Sequence, residues 1–68
     1  MAEFQPGERV LVDVAAGILP GEHAAPDWQP GTVDERLENG YYRVRLDIEI
    51  GGRAAVKEAA PEHVRPLR

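Results

Sequence analysis

Leu37-Glu38-Asn39-Gly40-Tyr41 is the stretch on which the fold turns. Asn-Gly between two strand-like runs is a strong hairpin signal, because a type I′ turn needs positive φ at both central residues. With Asn39-Gly40 as a two-residue turn, Leu37 faces Tyr42 and Val33 faces Leu46, while Val44 and Ile48 share that side of the sheet. The opposite side then carries Thr32, Asp34, Arg36, Arg43, Arg45 and Asp47, so one face is apolar and one polar. A three-residue loop Glu38-Asn39-Gly40 would slide the pairing by one, set Val33 against Arg45 and spoil the apolar face. The preferred register leaves Glu35 on the apolar side, which a bulge there would relieve, and sets Arg36 against Arg43.

Outward from this hairpin the chain reads as further short strands. Glu8 to Val14 alternates Val10, Val12 and Val14 against Arg9, Leu11 and Asp13. Ala15 to Pro30 has no sustained period and contains Gly17, Pro20-Gly21, Pro26 and Pro30, so it is a long loop ending near Trp28. The second strand covers Gly31 to Leu37 and the third Tyr41 to Ile50. Gly51-Gly52 turns the chain again. A three-residue loop Ile50-Gly51-Gly52 opposes Leu46 with Val56 and Ile48 with Ala54, a better match than the two-residue loop that would face Leu46 with Lys57. Ala59 to His63 forms a single helical turn with Pro61 near its start, and Val64 to Leu67 is a last strand that Pro66 restricts to an edge or an end.

The 68 residues allow one domain, 1–68, with a small core and no cysteine to staple it. Net charge is −4: residues 1–34 hold six acids and one base, residues 35–68 six acids and seven bases. That balance opposes nonspecific DNA binding, yet leaves room for a local basic surface. No apolar run approaches a membrane span, and Met1-Ala2-Glu3-Phe4 is unlike a secretion signal, so a cytoplasmic protein without a membrane partner is expected.

The expected fold is all-β: a small five-stranded barrel with a long β1–β2 loop and a short 3-10 turn before the last strand. Pro6-Gly7-Glu8-Arg9-Val10, then Trp28-x-x-Gly31-Thr32-Val33, then Tyr42-x-Val44-x-Leu46, then His63-Val64-Arg65-Pro66-Leu67, resembles the SH3-like barrels of the Tudor and Agenet type over nearly the whole chain. KOW-type barrels are a weaker match. The Tudor resemblance implies a ligand cage of aromatic side chains for methylated lysine or arginine, with Trp28 at the cage position before the second strand. Such cages draw further aromatics from the end of the third strand. Here that stretch is Asp47-Ile48-Glu49-Ile50, so Asp47 could serve only as an acidic member.

Three roles follow for this chain. The first is a non-catalytic module that binds a protein or peptide through Trp28, with Glu22, Asp27 and Asp47 attracting basic side chains and Tyr41 near the hairpin tip. The second is a nucleic-acid- or ribosome-associated barrel using Arg36, Arg43, Arg45 and Lys57, against which Asp34, Glu38 and Glu58 weigh by partial neutralisation. The third is a structural subunit of an oligomer. His23 and His63 each lack a neighbouring ligand at metal spacing, no nucleophile–base pair is visible, and no phosphate-binding glycine loop precedes a helix. Neither a cofactor nor an enzymatic activity is expected.

Overall fold

In the computed structural model, which describes residues 3–15 and 25–67, the chain forms five antiparallel strands and one 3-10 turn. They are β1 (Arg9–Asp13), β2 (Trp28–Arg36), β3 (Tyr42–Ile50), β4 (Arg53–Ala59), the 3-10 turn Pro61–His63 and β5 (Val64–Pro66). All five belong to one sheet in the order β4-β3-β2-β1-β5. The ladder does not close on itself, so β4 and β5 are its edges. Three-residue β5 carries Pro66, where a missing N–H costs no ladder bond. Valines suit the central strands because their branched side chains pack well on a pleated surface.

The core follows the alternation. Val10 and Val12 from β1, Val33 from β2, Tyr42, Val44 and Leu46 from β3, Ala59 from β4 and Val64 from β5 bury their side chains in one cluster. Both edge strands therefore flank the same core. Phe4 joins it from the N-terminal segment, edge-on to Tyr42 with ring centroids 5.5 Å apart. Ile48 and Ile50 continue the inner row of β3 past the core and are 44% and 70% exposed.

Both expected hairpin registers need correction. The Asn39-Gly40 corner is a three-residue loop: Gly40 N–H bonds to the Leu37 carbonyl at 3.0 Å, and Leu37 N–H to the Tyr41 carbonyl at 2.7 Å. Only Gly40 has positive φ (88°), which excludes a type I′ turn; the Asn39 side chain instead accepts the Tyr41 N–H at 3.0 Å. The apolar face survives because a bulge at Asp34 shifts the pairing once more. Val33 then lies opposite Val44, neither Leu46 nor Arg45, and Gly31 lies opposite Leu46. That bulge turns Glu35 to the outer side, opposite Arg43, and sets Arg36 opposite Tyr42, which removes the expected arginine–arginine clash. Leu37 pairs with Tyr41, not Tyr42.

At the second corner Gly51 and Gly52 both have positive φ (63° and 79°), forming a two-residue loop with Ile50 opposite Arg53. The register then slips between Arg45 and Glu49, and Val56 ends opposite Arg45 instead of Leu46. The one-residue bulge of the first hairpin thus reverses the facing that its turn length imposes, whereas the two-residue slip of the second leaves the facing unchanged, with Lys57 opposite Val44.

The β1–β2 connection begins after Asp13. Residues 16–24, and with them Glu22 and His23, lie outside the described residues. Strand β2 starts at Trp28, so Trp28-Gln29-Pro30 belongs to the sheet and not, as expected, to the loop. Pro30 is tolerated because it occupies a non-hydrogen-bonded position opposite Leu11, beyond the last residue of β2 paired with β3.

Candidate interaction site

Strand alternation decides which side chains meet. With Val10, Val12, Gly31 and Val33 facing the core, Arg9, Leu11 and Asp13 of β1 share the outer side with Trp28, Pro30 and Thr32 of β2. Leu11 lies directly between Pro30 on β2 and Arg65 on β5. Leu11, Trp28 and Pro30 are all half-buried. The Arg65 guanidinium carbon stands 4.0 Å from the Trp28 ring centroid, a cation–π contact that covers one face of the indole.

Asp47 is fully engaged. Its two carboxylate oxygens accept from Arg9 Nη1 at 2.7 Å and Nη2 at 2.5 Å, and Arg9 Nη1 also donates to Thr32 Oγ1 at 2.9 Å. The fork-on-carboxylate hydrogen bonding holds Asp47 below its ordinary pKa and Arg9 above its own. Asp47 thus ties β3 to β1 across the outer face. Asp27 accepts from the Gln29 side-chain amide at 2.8 Å. Tyr41 sits just past the hairpin corner, at the other end of the β2–β3 hairpin from Trp28. There it borders an open groove of about 250 Å³ with Lys57, Glu58, Glu62 and His63.

The four basic residues do not form one face. Arg43 and Arg45 point outward, whereas Arg36 and Lys57 lie opposite the core residues Tyr42 and Val44. Arg36 bonds Glu3 at 2.8 Å, and Arg43 bridges Glu35 at 3.1 Å and Glu58 at 3.4 Å. Arg45 has no ion-pair partner among the described residues.

Asp13 is the residue the sequence concealed. It is buried at the end of β1, and one carboxylate oxygen accepts the N–H groups of Ala15 and Asp27, both at 3.0 Å. With Val14 N–H on the Asp27 carbonyl at 2.9 Å, it clasps both ends of the β1–β2 connection beneath Trp28. The Asp27 N–H bond is the main cause holding its pKa below the ordinary value, against burial; the Ala15 bond and the charges of His63 and Lys57 act in the same direction. A depressed carboxylate pKa contributes stability that is present above the unfolded value of about 3.9 and is lost as pH falls through the folded one. Asp13→Asn should therefore cost about 1–2 kcal/mol at neutral pH. In melts across an acid series the gap to the parent should close below pH of about 4; a gap constant with pH would show that the charge contributes nothing. The alternation that put Asp13 on the polar side was sound, but only the loop's return makes it an anchor.

Among the described residues, no cluster of histidine and carboxylate side chains could hold a metal ion, and no helix is long and apolar enough to cross a membrane. The class defined is a small all-β domain on one antiparallel sheet, with its single tryptophan on the outer side. No family model matches the chain, and neither a curated protein nor a solved structure matches it.

Proposed function

We propose that this chain is a cytoplasmic, non-catalytic interaction module, built as a small SH3-like barrel of the Tudor type, that binds a protein or peptide through Trp28. The barrel assignment is supported by the two edge strands flanking one core and by the 3-10 turn that joins them. The carrying observation is the position of Trp28: a half-buried indole on the outer side, beside half-buried Leu11 and Pro30. Tryptophan is the residue type most enriched among interface anchors. The Arg65 guanidinium already occupies one ring face, so a methylated cation would have to displace it. That weighs against an aromatic cage and for a flat contact.

The test is selection of a displayed random-peptide library on the intact chain. Trp28→Ala should keep the circular dichroism of the parent, because its ring lies outside the core cluster. It should lose the selected peptides by about tenfold or more in affinity. A folded Trp28→Ala variant that binds them fully would refute the proposal. The nucleic-acid alternative retains Arg45 as its outward cation without a partner among the described residues, but Arg36 and Arg43 are committed to carboxylates.

A further inference from the structure

Arg65 is held in an unusual way. Its guanidinium stacks on Trp28, and no described carboxylate or carbonyl accepts a hydrogen bond from it. Stacking fixes the orientation of a side chain that would otherwise lose rotamer freedom on binding, while the N–H edges of a stacked guanidinium stay available in its plane. The residue is exposed, so those edges are accessible. Arg45, also outward and exposed, is the second cation of this face without an ion-pair partner among the described residues. Of the acids on this face, Asp47 pairs with Arg9, Glu35 and Glu58 share Arg43, and Asp13 accepts two backbone N–H groups, while Glu49 lies farther along the outer row of β3. Beside Leu11, Pro30 and Trp28, the charged group without an ion-pair or hydrogen-bond partner among the described residues is the Arg65 guanidinium, although the chain as a whole is at −4.

We infer that the partner of this surface is an acidic peptide segment, whose carboxylate takes the fork of Arg65 while an apolar neighbour packs on Leu11, Pro30 and Trp28. This rests on the Trp28 reading above and reverses the basic partner expected from the sequence. A peptide is favoured over single-stranded nucleic acid because Trp28 is the only aromatic among the described residues of this part of the face, too few to stack successive bases.

Charge composition of the selected peptides is the first measurement, and titration followed by Trp28 fluorescence is the second. The chain has one tryptophan, so the signal reports this surface alone. Peptides enriched on the parent should be net acidic. Arg65→Glu should weaken them about tenfold or more, Arg65→Lys should keep part of the affinity, and added salt should weaken binding. Neutral or basic peptides that still require Trp28 would overturn the acidic partner and leave the Trp28 reading standing. So would acidic peptides indifferent to Arg65→Glu. Peptides that bind Trp28→Ala equally, or no enrichment at all, would remove both. A mixed-sequence single-stranded oligonucleotide that shifts Trp28 fluorescence at lower concentration than any selected peptide would assign the face to nucleic acid and overturn the inference.

Discussion

Replacing Tyr42 by alanine should remove about a third or more of the stability of the molecule. Tyr42 is the largest fully buried side chain, 2% exposed, in the first position of β3. Its ring meets Phe4 at an interplanar angle of 79°, and its hydroxyl oxygen accepts the Phe4 N–H at 3.2 Å. Truncating a buried aromatic side chain to alanine costs about 3–5 kcal/mol, through lost apolar burial and the cavity left behind. A domain of 68 residues has a total stability of about 3–10 kcal/mol. The loss is therefore about a third of what is available at the least, and all of it at the lower end of that range. Tyr42→Phe separates the two contributions: it keeps the ring and removes the acceptor, so it should cost only about 1 kcal/mol. Urea unfolding followed by circular dichroism measures both variants. A Tyr42→Ala protein that unfolds cooperatively within about 1 kcal/mol of the parent would contradict the core described here.

The second large effect is expected at Gly31, for the opposite reason. Gly31 is buried in β2 opposite Leu46. A Cβ built there would lie 2.8 Å from the Arg45 carbonyl oxygen and 2.8 Å from Val44 Cγ1. The carbonyl belongs to the β3 backbone, which cannot yield without disturbing the ladder. Gly31→Ala should cost about 2–3 kcal/mol as an overpacking substitution, and Gly31→Val more. In thermal melts of a domain this size, that corresponds to a fall in Tm of roughly 10–20 °C. No left-handed backbone is involved at Gly31, so a substitution without effect would mean that the two strands stand farther apart there.

Much of the strand plan was open to inspection in the residues. The alternation Val10, Val12 and the run Tyr42, Val44, Leu46 mark core-facing rows, and Pro61 marks the 3-10 turn. The registers were not legible. Turn chemistry suggested two residues at Asn39-Gly40 and three at Ile50-Gly51-Gly52; the reverse holds, and the extra residue at Asp34 restores the match of apolar faces in the first hairpin, whereas the two-residue slip between Arg45 and Glu49 keeps Lys57 opposite the core side of β3. A bulge carries no composition of its own, so a reading that holds the ladder regular assigns its slip to the turn. Phe4 was invisible as core because a lone aromatic in a terminal segment has no period.

The candidate surface divides in the same way. Trp28 stood out as the single large aromatic beside a loop, but its expected acidic companion Asp47 is bound to Arg9, and Tyr41 lies at the far end of the hairpin. No contact between Arg65 and Trp28 is legible along the chain, where about half its length separates them, and only the pairing of β5 with β1 brings the guanidinium over the ring.

Residue order alone determined that this chain makes short antiparallel strands with valine-rich inner rows, because side-chain direction in a strand depends only on position parity. Which charges remain available on the outer side was decided by the folded chain. Ion pairing and stacking depend on neighbours brought together across strands, and those neighbours follow from the two internal register shifts and from the placement of β5 beside β1.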